Sequence, residues 1–338
     1  MNIAAGAETN NGRLADKPVI LQMAELARFP YRSIGDRFEV IRYWQIDEPN
    51  AMLARDGAKV RGMIAAGSQR IDDVILDKLP NLEVIANIGV GYDRLDIEAV
   101  ARRGIIATNT PDVLTEEVAD LTVGLLIATV RRMPQAERHI REGRWAKSPF
   151  PNSPSLRGRS VGIVGLGRIG KAVARRLQGF EVSEICYCGR TRQADVPYRH
   201  FKDIREMAGH VSVLILTLPG GPETKGLVDA DVLAKLGSDG IIVNVARGAV
   251  IEKDALIAAL RDGAILAAGL DVFWKEPEVP QELLALDNVV LLPHVGSASQ
   301  KTRAEMIELL QDNLFAWFEG RGPLTPVAET PWPGGNGE

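Results

Sequence analysis

Four short segments of this 338-residue chain hold the side chains best suited to chemistry: Gly165-Leu166-Gly167-Arg168-Ile169-Gly170, Asn244-Val245-Ala246-Arg247-Gly248, Asp271-Val272-Phe273-Trp274-Lys275-Glu276-Pro277 and Leu292-Pro293-His294-Val295-Gly296-Ser297. In that order they offer a glycine fingerprint, a guanidinium, two carboxylates and an imidazole. The fingerprint sits between an apolar run, Val161 to Val164, and a helical stretch, Lys171 to Leu177, closed by Gly179. In such a strand-turn-helix setting Gly165 permits the tight turn, Gly167 lets a pyrophosphate approach the backbone, and Gly170 lets helix and strand pack closely, with phosphate on the helix N-terminus. A ligand-free glycine turn is the competing reading, and this context disfavours it.

A site for NAD would place Asp or Glu about 20 residues beyond the fingerprint, on the ribose hydroxyls. Here that position reads Cys188-Gly189-Arg190-Thr191-Arg192, with no acid. Guanidinium groups beside a hydroxyl suit the extra charge and acceptor oxygens of a 2′-phosphate, so NADP(H) is the expected cofactor. The alternative is that Arg190 and Arg192 are solvated loop charges.

Reducing a 2-oxo acid requires a group that holds the carboxylate, one that polarises the ketone and one that protonates its oxygen. Arg247 follows the strand read at Ile241 to Val245, where ligands bind in doubly wound sheets, and its planar fork suits carbonyl and carboxylate oxygens; a surface ion pair competes. His294 is the one of four histidines read just past a strand, with His139, His200 and His210 in helical or loop segments, and it is the candidate proton donor. Glu276 is the carboxylate that would favour its imidazolium form, against the plainer reading of Lys275-Glu276-Pro277 as a charged turn. Asp271 ends its strand and could accept from a nicotinamide carboxamide or hold a turn. Ser297-Ala298-Ser299-Gln300 has capping-box spacing for the last helix. In Asn87-Ile88-Gly89-Val90-Gly91-Tyr92-Asp93, two glycines free the backbone, so that the amides of Val90 and Gly91 could bind a carboxylate as a small nest; a tight turn explains the glycines equally well.

The elements that would position these groups alternate between short β-rich runs and helices, which indicates α/β class with parallel sheets. Strands are read near Val19-Gln22, Glu39-Tyr43, Met63-Ala65, Val84-Asn87 and Ile105-Ala107, then a long helix from Thr115 to Arg132 that ends before Pro134. A Pro/Ser-rich stretch from Lys147 to Arg157 reads as an arm or linker. Six further strands, near Val161-Val164, Ile185-Tyr187, Val211-Leu216, Ile241-Val245, Leu266-Leu270 and Val289-Leu292, make a Rossmann sheet. The amphipathic segment Ser299 to Phe318 would return to the first domain. The expected fold is therefore two Rossmann-like domains, each a doubly wound parallel sheet, with an interdomain cleft. Residues 1–114 plus 297–338 form a discontinuous substrate-binding domain, and 115–296 an NADP-binding domain with a dimerisation arm near 134–157.

Composition sets outer limits. A net charge of −4 with scattered charges gives no footprint for nucleic acid. The longest apolar stretch, Leu121 to Val130, is too short to span a bilayer, so no membrane partner is expected. Met1 to Asp16 is polar and lacks a signal-peptide pattern. Two cysteines, Cys186 and Cys188, are too few for a disulfide framework or a metal site, so no metal is expected, and a reducing cytoplasm fits.

On these residues, from about Val19 to Pro326, the chain resembles the D-isomer-specific 2-hydroxyacid dehydrogenase family. The resemblance implies that Arg247, Glu276 and His294 are the catalytic trio and that Val90-Gly91 is the substrate-carboxylate loop. It further implies that Gly167, Arg168, Ile169, Gly170, Gly189, Arg190, Thr191, Val245 and Asp271 surround the cofactor. Thr110 to Asp120 and His294 to Ser299 look like the glyoxylate/hydroxypyruvate and hydroxyphenylpyruvate reductase branch, whose members typically use NADPH and are dimers. One departure stands out: some hydroxypyruvate reductases carry two tryptophans in the loop after the long helix, whereas this chain has Trp145 alone, and Trp274 has no family role. The expected activity is NADPH-dependent reduction of small 2-oxo acids such as glyoxylate and hydroxypyruvate. The alternatives are an aromatic 2-oxo acid reductase and a cofactor-sensing binding protein like the family's corepressors. The short tail from Glu329 to Glu338 and the NADP-type loop count against the last.

Overall fold

The computed structural model describes residues 17–26, 34–66, 70–332 and 334, so the polar tail read at Met1 to Asp16 and the end of the C-terminal tail lie outside the described residues. The chain divides into two compact units. One gathers the described residues up to Ile88, Leu95–Thr108 and those from Glu308 onward; the other gathers Gly89–Arg94 and Asn109–Ile307. The turn that carries Val90 and Gly91 thus packs with the fingerprint unit.

The first unit is built on β1 (Val19–Gln22), β2 (Glu39–Arg42), β3 (Val60–Ala65), β4 (Val84–Asn87) and β5 (Ile106–Thr108), in the order β2-β1-β3-β4-β5. Every pairing is parallel. Central strands covered on both faces must be apolar at successive positions rather than alternating, and Ile20, Leu21, Met63, Ile64 and Ile85 are all fully buried. The C-terminal part of the last helix, Gln300–Phe318, belongs here, with Phe318 against the Cα of Gly62, where a Cβ would lie 3.2 Å from its ring.

The second unit carries β6 (Ser160–Val164), β7 (Glu184–Cys188), β8 (Arg199–Phe201), β9 (Val213–Leu216), β10 (Ile241–Asn244), β11 (Ala267–Leu270) and β12 (Val289–Leu291). Its order, β12-β11-β10-β9-β6-β7-β8, is that of a dinucleotide-binding sheet with one added strand. Seven strands replace the six read from sequence. The additional one, β8, is only three residues at the sheet edge, with Arg199 exposed and Phe201 buried, and it also moves His200 from a loop to a strand. The order reverses between β6 and β9, so the fingerprint leaves β6 at the switch point, where doubly wound sheets bind ligands.

The long helix is Thr115–Val130, and Pro134 does not simply end it. Arg132 takes a left-handed conformation (φ 53°), and a second helix, Met133–Arg141, begins with Pro134 in its first turn, where a missing N–H costs nothing. Burial pushes the thiols of Cys186 and Cys188 up to about 12 and about 11, so both are inert strand residues. Among the described residues, no helix is long and apolar enough to cross a membrane.

Candidate active site

The three fingerprint glycines each meet a different physical requirement. Gly165 has φ 91°, and a Cβ there would lie 2.8 Å from the Leu218 Cα; its N–H donates to the Cys188 carbonyl at 2.9 Å, tying the turn to the end of β7. Gly170 touches the turn itself, since a Cβ would lie 2.4 Å from the Gly165 carbonyl oxygen. Gly167 has nothing within 4 Å of its Cβ position and opens the helix Arg168–Leu177 without a side-chain cap. An open backbone at an uncapped helix N-terminus is the cradle that a pyrophosphate requires. Arg168 stands beside it, exposed and paired with Asp112 at 2.7 Å, and Ile169 is half-buried.

The loop after β7 differs in kind. Arg190, Thr191 and Arg192 are exposed, and among the described residues neither arginine has an ion-pair partner. Gly189 is anchored below them through its carbonyl, which accepts from His200 Nε2 at 2.8 Å. His200 stacks obliquely on Tyr187, with ring centroids 5.0 Å apart, so β8 supplies a buttress for this loop.

Beyond β10, the buried Asn244 shapes the next turn, which leads through Val245 and Ala246 to Arg247. Its Nδ2 donates to the Arg247 carbonyl at 2.9 Å, and its Oδ1 accepts from the Ala246 N–H at 3.0 Å. The Arg247 side chain emerges between two glycines: a Cβ on Gly91 would lie 1.8 Å from Nη2, and one on Gly220 would lie 2.7 Å from Cγ. Arg247 Nε donates to Asp93 Oδ1 at 2.9 Å, and Nη1 donates to the Ala246 carbonyl at 2.8 Å. The turn bearing Val90 and Gly91 is held in turn by Thr110, whose Oγ1 accepts from Gly89 N–H at 2.9 Å, and by Asn109, whose Nδ2 donates to the Val90 carbonyl at 2.9 Å.

His294 and Glu276 meet directly: Nδ1 lies 2.7 Å from Oε2. Glu276 Oε1 accepts from the Phe273 N–H at 3.0 Å, fixing the carboxylate to its own turn. Burial raises this carboxyl, but hydrogen bonds from His294 and Phe273, with the charges of His294 and Arg94, outweigh it and hold it below the ordinary glutamate value. The charged-turn reading of this segment is filled by Lys275 and Glu278, paired at 2.7 Å, which leaves Glu276 to the imidazole. With Nδ1 engaged, the Nε2 edge of a half-exposed ring is the one able to meet a ligand.

Asp271 is 1% exposed, and its two oxygens accept from the N–H groups of Val295 and Gly296, each at 2.8 Å. Of the two roles weighed for it, holding a turn is the one these bonds fill: they clamp the residues after His294, whose backbone is left-handed at φ 54°. Burial raises the Asp271 carboxyl above its ordinary value despite both bonds. Arg303, half-buried on the last helix, is held low by its own burial against the opposing charge of Asp271. The helix cap is Ser299, whose Oγ accepts from the Thr302 N–H at 3.2 Å, and not Ser297 as the capping-box spacing indicates. Trp274 donates from Nε1 to the Ile251 carbonyl at 2.6 Å and packs on the sheet core, whereas Trp145 is 65% exposed.

Sequence reasoning missed Asp93, Asn244, Asn109, Thr110 and Arg303. Asp93 and Arg247 are far apart in the chain, and nothing local marks them as a pair. Asn244 alone carried a signal, as an amide at the buried end of a strand whose neighbours are all apolar.

Residues 123–296 match the model of the D-isomer specific 2-hydroxyacid dehydrogenase NAD binding domain. The glyoxylate/hydroxypyruvate reductase A of Arabidopsis thaliana is 39% identical over 308 residues, 91% of this chain and 98% of its own. The hydroxyphenylpyruvate reductase of Plectranthus scutellarioides is 37% identical over 308 residues, with the same coverage, 91% and 98%. Among solved structures, an NADPH-dependent glyoxylate/hydroxypyruvate reductase of Sinorhizobium meliloti, in complex with NADP and malonate, shares 46% identity at a TM-score of 0.87, covering 94% of this chain and 98% of that one. With its two parallel sheets, its fingerprint at the switch point and its paired imidazole and carboxylate, the chain belongs to the D-isomer-specific 2-hydroxyacid dehydrogenase family.

Proposed function

We propose that this protein is an NADP-dependent reductase of small 2-oxo acids, with glyoxylate and hydroxypyruvate as its substrates. The observation that carries the reading is the 2.7 Å contact between His294 Nδ1 and Glu276 Oε2 in the same unit as an oriented Arg247 and an open fingerprint. Gly165, Gly167, Arg168, Ile169 and Gly170 hold the pyrophosphate, and Val245 and Asp271 flank the nicotinamide end. Gly189, Arg190, Thr191 and Arg192 take the 2′-phosphate, a choice supported by the unpaired arginines and by the NADP bound to the Sinorhizobium relative. When bound, NADPH supplies the hydride.

The remaining chemistry belongs to side chains of this chain. The amides of Val90 and Gly91 bind the substrate carboxylate, and Arg247 bridges carboxylate and ketone oxygens. His294 donates the proton from Nε2 to the oxygen that becomes the hydroxyl. Glu276 keeps the imidazole oriented through Nδ1. Asp271 acts mainly by clamping the backbone after His294.

The test is a steady-state assay with NADPH and NADH against glyoxylate, hydroxypyruvate and phenylpyruvate. Turnover of the first two with NADPH is expected, and a protein that binds NADPH but turns over none of them would be a cofactor sensor instead. A second reading, reduction of aromatic 2-oxo acids, is supported by the Plectranthus relative at 37% identity.

Assembly is proposed as a homodimer through the arm near 134–157, supported by the outward apolar side chains of Met133, Ile140 and Trp145, which are 53%, 60% and 65% exposed. Sedimentation of Ile140→Asp against the wild type tests this, with a monomer expected only for the variant. A reducing cytoplasm is the proposed location.

A further inference from the structure

The Arg247 side chain has little freedom of its own choosing: its Nε edge faces Asp93, with Nε and Nη2 each 2.9 Å from Oδ1, while Nη1 is tied to the Ala246 carbonyl. Guanidinium carries five N–H groups in a fixed fork. Those left on Nη1 and Nη2 form the outer edge, the one able to bridge two oxygens side by side. The turn that brings Asp93 also brings Gly91, whose bare Cα is the surface on which the guanidinium lies, and Gly220 closes the other side with its Cβ position 3.2 Å from Asp93 Oδ2.

We infer that Asp93 is a positioning residue for the reaction: it fixes the rotation of the Arg247 fork so that the outer edge faces the oxo-acid group beside the Val90-Gly91 amides. The inference rests on the role proposed above for Arg247. An acceptor is needed there because a single oxygen, Oδ1, meets both Nε and Nη2, and an ionised carboxylate does this more strongly than a neutral group. Gly91 and Gly220 are needed because any side chain there displaces the fork. The carboxylate loop and the polarising cation therefore move as one piece, although the chain places them on turns far apart in sequence.

The test is a double-mutant cycle on the full-length protein with hydroxypyruvate and NADPH. Misplacing a catalytic group by about 1 Å can cost about a hundredfold, so Asp93→Ala is expected to lower kcat/KM roughly ten- to a hundredfold in the wild-type background. In the Arg247→Ala background it should cost nothing further, because the group it positions is gone. NADPH affinity and thermal midpoint are expected to stay close to the wild type. Asp93→Asn keeps an oxygen for Nε and should recover most of the loss.

Each other result decides against a particular step. An equal loss from Asp93→Ala in both backgrounds overturns the positioning role and leaves the reading of Arg247 standing. Near-normal activity of Arg247→Ala sinks that reading, and the inference with it. Full activity of Asp93→Ala, equal losses in the Ala and Asn variants, or loss of NADPH binding in both variants also overturns the assignment.

Discussion

Two turns leave the same sheet and meet their ligands in opposite ways. The turn after β10 is bonded before any ligand arrives: Asn244 braces its backbone, and Asp93 and the Ala246 carbonyl hold the Arg247 side chain. The loop after β7 is anchored on either side of its arginines, at Gly189 by His200 and at Gln193, whose N–H donates to Tyr187 Oη at 2.7 Å and whose Nε2 donates to the Leu166 carbonyl at 2.8 Å, while Arg190, Thr191 and Arg192 extend into solvent. The same contrast holds for His294, whose ring is fixed by Glu276 and whose backbone is clamped by Asp271 through Val295 and Gly296.

The difference follows from what each region must do. A proton donor or a polarising cation contributes most when its geometry is set in advance, because reorganisation at the moment of reaction adds to the barrier. A residue that selects one cofactor needs only to gain a bond with the preferred ligand that the other cannot offer. Exposed, unpaired arginines do this without a desolvation cost in the free protein. Catalytic variants should therefore lose turnover with binding preserved, and loop variants should lose discrimination with chemistry preserved.

The largest effect is expected for His294→Ala. General acid catalysis contributes about 10²–10⁴-fold, and kcat for hydroxypyruvate should fall by that order while NADPH binding, read by fluorescence, stays nearly intact. Near-normal turnover in a folded, NADPH-binding variant removes His294 from the donor role and breaks the comparison at its strongest point.

Arg190→Ala tests the other side. A charge-assisted hydrogen bond of roughly 1.5–3 kcal/mol corresponds to about ten- to a hundredfold in affinity, so NADPH should weaken by that factor while NADH changes little. If both cofactors weaken equally, the side chain shapes the loop rather than reading the phosphate, and the contrast between the two turns fails.

How much of this was legible in the chain depends on distance along it. The fingerprint declares itself because all three glycines and both flanking elements lie within about twenty residues, and His294 and Arg247 are visible because each comes shortly after an apolar strand, whereas Glu276 lies further past β11 in a segment that reads as well as a charged turn. Strand β8 escaped because Arg199-His200-Phe201 is too short for period-two patterning and lies at an edge. Pro134 reads as a terminator because a proline after a helix and a proline in the first turn of the next look alike in sequence. Asp93 sits within a glycine turn that gives it no visible role, since its partner is reached only by folding. Ser299 was displaced by Ser297 as the cap because Ser-x-x-Gln spacing fits the first serine, while the helix begins one residue after the second.

Glu276→Gln probes the prior fixation of the imidazole. The amide keeps the shape of the carboxylate but not its charge, so the imidazole is held less firmly and kcat for hydroxypyruvate should fall while NADPH binding stays close to the wild type. A second sign runs through stability. The Glu276 carboxyl is held below its ordinary value by His294 and the Phe273 N–H against burial, so its contribution is present above the unfolded value near 4.3 and is lost as pH falls through the folded one. The wild type should therefore exceed the variant in thermal midpoint at neutral pH, and the gap should narrow in acid. A gap in midpoint that does not narrow in acid would show that the pairing with His294 does not hold the carboxyl low.

The smallest expected effect, and the one that sharpens the comparison furthest, concerns substrate choice. Glyoxylate and hydroxypyruvate offer little beyond a carboxylate and a ketone, and the bonded set of Arg247, the Val90-Gly91 amides and His294 satisfies those groups without a further specificity residue. An aromatic substrate would also need an apolar surface for its ring. Trp274 is unsuited to that role, since its indole is committed to the Ile251 carbonyl and the sheet core, and Trp145 is exposed on the arm. Burying a ring can contribute about 1.5–3 kcal/mol, so a site that lacks such a surface forgoes that gain but does not reject the substrate. Preference is therefore expected to be several-fold in kcat/KM for hydroxypyruvate or glyoxylate over phenylpyruvate with NADPH, much less than the loss in His294→Ala. Measuring the three acids side by side decides it: a clear preference for phenylpyruvate would mean that an apolar surface outside these turns sets specificity, and the aromatic reading would replace the first.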